Sequence, residues 1–149
     1  MSNVQQLPIG VFDSGVGGLS VLKVLQEQFP NEDFIYIGDN ANNPVGNRSD
    51  DEITYLACHI AEALEKQPVK LMVIACNTFT VVALDAVRER VSVPVIGVSQ
   101  GVKTAISQSK SKTIGIMATV ATVNSHIHKH VALEVDHEVL VWEQPCPEL

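Results

Sequence analysis

Three short stretches hold the residues with the most chemistry in them. The first, Cys76-Asn77-Thr78, closes the apolar run Leu71 to Ala75 and stands directly before a segment of helical period. A thiol placed there meets unpaired N–H groups and the positive end of the helix dipole, which favour thiolate and lower its pKa. Asn77 and Thr78 beside it are suited to hold a carboxylate. The second, Asp13-Ser14, closes an earlier apolar run, and Asp13 could ligate a metal, assist a proton transfer or cap the helix that follows. The third is the trio His126, His128 and His130. His126 and His130 have the i, i+4 spacing of a helical zinc pair. No glutamate lies between them in the protease pattern and no third ligand follows, so a solvated helical face is the stronger reading.

Cys76 itself has two readings. A free cysteine closing an apolar strand is commonly a buried structural thiol; the alternative is a reactive group at the mouth of a site. The second requires its sulfur to lie near Asp13. Cys58, mid-helix and beside an apolar face, reads as packing.

The Gly15-Val16-Gly17-Gly18 turn follows a strand and opens a helix, as a dinucleotide-binding loop does. Ser20 occupies the place of the third glycine, however, and Asp13 just ahead of the turn would repel a pyrophosphate. Asp39, at the end of the next strand, keeps a dinucleotide as the runner-up. A substrate carboxylate needs less room and fits the same N–H groups.

These groups need elements to position them, and the periodicity supplies an alternation. Strands are predicted over Pro8 to Phe12, Phe34 to Ile37, Leu71 to Ala75, Val93 to Val98, Thr113 to Ala118 and Glu138 to Trp142, after which Pro145 and Pro147 stop regular structure. Helices are predicted over Leu19 to Gln28, from Ser49 onward, Thr78 to Arg90 with Asn77 as N-cap, Val102 to Ser107, and Val123 to Leu133. The helix after Ser49 carries the firmest signature, with Glu52 at capping-box spacing and Ile53, Leu56, Ala57, Ile60, Ala61 and Leu64 on one face. Strand–helix alternation with continuously apolar strands specifies an α/β fold, a doubly wound parallel sheet covered on both faces. Ligands of such sheets bind at the carboxyl ends of the strands, where Asp13-Ser14, Asp39, Cys76-Asn77-Thr78, Ser99 and Thr119 collect.

Composition bounds the rest. In 149 residues, 46% are apolar, enough for a core. The formal charge of −7 with no basic run argues against nucleic acid. Three cysteines without framework spacing argue against a secreted disulfide scaffold. The opening residues lack a signal-peptide pattern and no apolar run is long enough to span a bilayer, so no membrane association and a cytoplasmic location are expected.

Taken together, these segments resemble the glutamate racemase (aspartate/glutamate racemase) family. The resemblance begins at Ile9-Gly10-Val11-Phe12-Asp13-Ser14-Gly15-Val16-Gly17-Gly18-Leu19. It continues through Tyr36-Ile37-Gly38-Asp39, Asn43-Pro44-Val45-Gly46, Ala75-Cys76-Asn77-Thr78, Val93-Pro94-Val95-Ile96-Gly97-Val98 and Ala118-Thr119-Val120-Ala121-Thr122-Val123. It implies a flavodoxin-like first lobe over 1–98, lacking a returning C-terminal segment, and part of a second similar α/β lobe over 99–149. It implies cofactor-independent racemisation of L- and D-glutamate for peptidoglycan synthesis, with no metal, by two thiols on opposite faces of the α-carbon.

On that resemblance Cys76 is the first thiol, with Asp13 assisting its proton transfer. Asp13, Ser14, Val45, Gly46, Asn77, Thr78 and Thr122 are the expected contacts of glutamate or a similar acidic amino acid. Val45 stands where the family usually has tyrosine, and Phe79 where it has a small residue, which would crowd the pocket. The family's second thiol sits in a Cys-Thr-His segment. Cys146 is followed by Pro147-Glu148 and is not assigned that role, so impaired activity of this chain alone is expected. Uncovered sheet edges would favour a homo-oligomer. The alternatives are a non-catalytic interaction fragment and a racemase of aspartate or another acidic amino acid.

Overall fold

A computed structural model describes residues 4–98 and 101–148. After a 3-10 turn, the chain runs β1 (Ile9–Asp13), α1 (Gly18–Gln28), β2 (Phe34–Gly38), α2 (Asp50–Glu65), β3 (Leu71–Ile74), α3 (Asn77–Arg90) and β4 (Val95–Gly97). It continues with α4 (Val102–Gln108), β5 (Thr113–Ala118), α5 (Val120–Asn124), α6 (Ile127–Val135) and β6 (Leu140–Pro145). Ser99 and Gln100, between β4 and α4, lie outside the described residues.

The first four strands form one parallel sheet in the order β2-β1-β3-β4. Alternation along β1 sends side chains to two separate cores. Ile9 and Val11, with Val73 and Ala75, pack under Val21, Leu22 and Leu25 of α1. Phe12 points the other way, into a larger core built with Ile53, Ile60 and Leu64 of α2 and Phe79, Ala83 and Val87 of α3. This sheet is thus covered on both faces, as its continuously apolar strands require. The predicted capping box holds α2: the Ser49 hydroxyl accepts from the Glu52 N–H at 3.3 Å, and the Glu52 carboxylate accepts from the Ser49 N–H.

The second sheet differs. It has two parallel strands, β5 and β6, with Gly115 opposite Trp142 and Met117 opposite Gln144. Val102 and Ile106 of α4 and Ala132 of α6 pack on one face, against Ile114, Ile116 and Val141. The other face presents Met117, Leu140 and Trp142 to solvent, the latter 72% exposed. Double winding holds for the first sheet; among the described residues the second is covered on one side only.

Three predicted boundaries move. The helix expected over Val123 to Leu133 is two, α5 and α6, because His126 between them adopts φ 52°, the left-handed region that breaks a helix. The last strand starts later and runs through Pro145, since a turn in which the Asp136 carboxylate accepts from the Glu138 N–H occupies the predicted start. Pro145 is tolerated at this edge strand's end, where the Cys146 N–H takes over and donates to the Ala118 carbonyl at 2.8 Å. The third is the cap of α3.

Candidate active site

Cys76, not Asn77, is the N-cap of α3. Its backbone stays extended (φ −84°, ψ 124°) as β3 ends, so Asn77 is already helical, and the cysteine sulfur does a cap's work by accepting from the Phe79 N–H at 3.4 Å. The same sulfur lies 3.3 Å from the Ser14 hydroxyl, which ties the end of β3 to the end of β1. The site therefore forms where two neighbouring parallel strands stop together, a placement that the pairing of Phe12 with Ile74 dictates.

Asp13 is buried beside them. One of its oxygens accepts from the N–H of Gly15 at 3.0 Å and from that of Gly18 at 3.1 Å. The carboxylate thus closes the glycine turn from within. Those two N–H groups are not free for a pyrophosphate or a substrate carboxylate, which overturns both the dinucleotide reading and the expectation that a substrate uses them. Gly18 is required by close approach: a Cβ there would sit 2.6 Å from the Asp13 Cβ and 2.9 Å from the Tyr36 hydroxyl. Asp39 is likewise engaged locally, accepting from the Asn42 amide.

Sequence reasoning gave Tyr36 no role, yet its hydroxyl donates to the Gly15 carbonyl at 2.8 Å. Burial, then the nearby Asp13 and Cys76, push its pKa up to about 12. The signal was present only as a tyrosine whose side chain alternates onto the α1 side of β2.

The electrostatics of Cys76 reverse the expectation from its helix position. Burial pushes the thiol above its ordinary range, and Asp13 adds to the rise; the hydrogen bonds from Ser14 and the Phe79 N–H oppose it without prevailing. Desolvation outweighs the helix terminus because the sulfur is only 7% exposed. At neutral pH Cys76 is a thiol with its proton, close to Asp13, and not a standing thiolate.

Across from it, three hydroxyls form a chain linking the two sheets. Thr78 and Thr119 lie 3.1 Å apart, and Thr119 donates to Thr122 at 3.0 Å. Gly46 completes the seam. Its carbonyl accepts from the Ala121 N–H at 3.0 Å, and a Cβ at Gly46 would meet Thr119 at 2.5 Å. Asn77, Thr78, Thr119 and Thr122 wall one end of a cavity of about 540 Å³ that extends along β5 and also touches His128. The sulfur of Cys76 is not in that wall; it adjoins it through Asn77.

The remaining expected contacts fall elsewhere. Val45 is buried in the larger core and offers the cavity no side chain. Phe79 is fully buried against Phe12, with ring centroids 6.4 Å apart, so it does not crowd the site. Cys58 packs in the same core, as expected. Cys146 turns its thiol to the Gln144 carbonyl.

The histidines do not share one solvated face. His126 precedes α6 and lies 2.7 Å from Glu143, His130 is exposed, and His128 is buried with its Nδ1 unpartnered. Burial pulls the His128 pKa down, opposed by Glu143. Among the described residues, no group of three His, Cys, Asp or Glu is arranged to hold a metal ion, and no helix is long and apolar enough to cross a membrane.

Comparison with known proteins fits this geometry. Residues 9–145 match the family described as Asp/Glu/Hydantoin racemase. A glutamate racemase of Picosynechococcus sp. is 46% identical over 99% of this chain. Among solved structures, glutamate racemase from Aquifex pyrophilus superposes with a TM-score of 0.87 at 39% identity, over 95% of this chain and 56% of that one. Glutamate racemase from Francisella tularensis, solved in complex with D-glutamate, gives 0.81 at 40% identity, over 95% and 53%. The chain spans about half the length of the relatives it matches, 53% in the Picosynechococcus case.

Proposed function

The chain belongs to the Asp/Glu/hydantoin racemase family, and from that premise we propose that it carries one acid–base half of a glutamate racemase site. The reading rests on one observation above others: the Cys76 sulfur, capping α3, lies 3.3 Å from Ser14 beside the buried Asp13. Cys76 is the group that exchanges a proton with the α-carbon. Its resting thiol is charged with the proton to be delivered: the S–H bond breaks, a Cα–H bond forms, and a thiolate remains. In the reverse direction the thiolate must form first. A bound amino acid's ammonium near the sulfur offsets the desolvation that holds the thiol protonated, so activation is coupled to binding. Asp13 fixes the glycine turn and biases the proton on Cys76 by its charge. The Asn77 side chain and the Thr78, Thr119 and Thr122 hydroxyls receive the carboxylates of glutamate. No ring or metal is needed to spread the carbanion's charge if these donors stabilise the developing enolate in a water-poor seam.

We assign no residue of this chain as the base on the opposite face, so exchange without efficient inversion is the expected activity. In a whole protein of this kind, the product would be D-glutamate for cell-wall peptidoglycan, made in the cytoplasm.

Solvent exchange tests this directly. Glutamate incubated with the chain in D₂O should acquire α-deuterium slowly, read by NMR, while a chiral assay finds little interconversion. Cys76→Ser should abolish the exchange. Exchange that persists in Cys76→Ser would remove Cys76 from the chemistry, and full racemisation by this chain would refute the half-site.

A further inference from the structure

We propose that two copies of this chain pair through the free edge of β5, antiparallel, about a two-fold axis passing beside Ile116. The inference is independent of the proton chemistry and starts from the two sheets. β1 has a strand on each edge, β2 and β3, whereas β5 has β6 on one edge only. Along the other edge runs the cavity of about 540 Å³, lined by the consecutive residues 114–119 with Val102 and Ala105 of α4. Six successive residues in one wall mean that a strand's edge lines the space, the shape an added strand fills.

Nothing guards this edge. Thr113-Ile114-Gly115-Ile116-Met117-Ala118 has no charge and no proline, the devices that usually blunt an exposed edge. A two-stranded sheet is also below the size that is stable alone, and pairing makes it four-stranded, β6-β5-β5-β6.

The sequence of β5 is complementary to itself, which selects a second copy as the occupant. Paired residues must point to the same face, so a two-fold antiparallel register must place a residue opposite its own copy. With Ile116 on the axis, Gly115 faces Met117 of the other copy and Ile114 faces Ala118. Each large side chain then meets a small one. A Cβ at Gly115 would touch nothing within 4 Å, so the space for the methionine is open. Within its own sheet Gly115 lies opposite Trp142, so the incoming Met117 reaches that ring. Centring on Gly115 instead would oppose two glycines and crowd Ile114 against Ile116. A six-residue seam is small beside the roughly 800 Å² per partner of a standard interface, so the association is concentration-dependent.

Light scattering coupled to size exclusion should show the 16.1 kDa chain passing to twice that mass as concentration rises through the micromolar range. The emission of Trp142, the single tryptophan, should shift to the blue over the same range. Met117→Lys should weaken association at least tenfold and hold the emission red, while Met117→Leu preserves both. Hydrogen exchange of the unaltered chain decides the matter without any variant: the amides of β5 should gain protection with concentration, and those of β1 should not. A monomer throughout, or a dimer whose β5 amides exchange alike at low and high concentration, would overturn the proposal.

Discussion

The two sheets are written in the same strand–helix–strand pattern but differ in how they are closed. The first has four strands, a helical layer on each face, and both edges of its central strand β1 occupied. The second has two strands, helices on one face, and Leu140, Trp142 and Met117 in solvent on the other. Chemistry divides along the same line. The thiol and the carboxylate beside it are fixed in the closed lobe by hydrogen bonds between the ends of β1 and β3. The hydroxyls of Thr119 and Thr122 stand on the open one and reach the thiol's neighbourhood only through Thr78. Acid–base geometry needs a rigid mount, whereas a substrate must enter and leave. The difference in closure gives each half the stiffness its task requires.

Core truncation should expose that difference most strongly. Phe12→Ala removes a fully buried ring that packs on Phe79. It is expected to cost about 3–5 kcal/mol and to loosen the site with it. Ile114→Ala in the second sheet should fall near the lower end of the roughly 2–5 kcal/mol range, because one face there is free to relax. Urea titration followed by circular dichroism measures both. Equal losses would mean that the two lobes unfold as one unit.

What could be read in advance follows the same division. The first lobe was legible because local and global signals agree there: apolar strands, a capping box at Ser49 and Glu52, and one apolar face on α2. Cys76 was legible as a strand-end residue. Its proton was not, because burial depends on Phe79 and Ser14, brought beside it only by folding, and that burial outweighs the helix terminus. The seam was half legible. Thr119 and Thr122 stood out as small polar groups, but a hydroxyl chain to Thr78 joins residues 41 apart. In the second lobe the break at His126 escaped notice because a non-glycine residue in the left-handed region leaves no mark in periodicity. His128 looked like its exposed neighbours because a two-residue spacing on a helix does not say which member faces inward.

The seam between the lobes offers an intermediate test. In Gly46→Ala the new Cβ must displace Thr119, whose Cγ2 and Cβ lie 2.5 and 2.6 Å from it. Overpacking of this kind is expected to cost about 1–3 kcal/mol. More tellingly, it should raise the glutamate concentration needed for α-deuterium exchange while leaving the rate at saturation closer to that of the unaltered chain. The hydroxyl chain would be disturbed and Cys76 would not. A loss confined to the saturated rate would place Gly46 in the thiol's own surroundings and erase the division of labour.

Titration should separate the lobes by sign, with the smallest effect. In the closed lobe, Cys76 and Tyr36 both have raised folded-state values, the latter pushed up to about 12 from 10.0. For a group of that kind the unfolded chain releases its proton first. The stabilisation is complete below the ordinary thiol value of 9.0 and is lost as pH rises from there toward the folded values. In the open lobe, His128 has a lowered value because burial disfavours its charged form. There the unfolded chain takes up a proton first, so stability is present above pH 6.5 and is lost as pH falls through the folded value. Hydrogen exchange at mild alkaline pH should therefore loosen β1 and β3 before β5, and at mildly acidic pH β5 and β6 before β1. His128→Phe should abolish the acid response and leave the alkaline one intact. Exchange that rose equally in both sheets on either limb would show that the lobes share one stability and that their different closure has no energetic consequence.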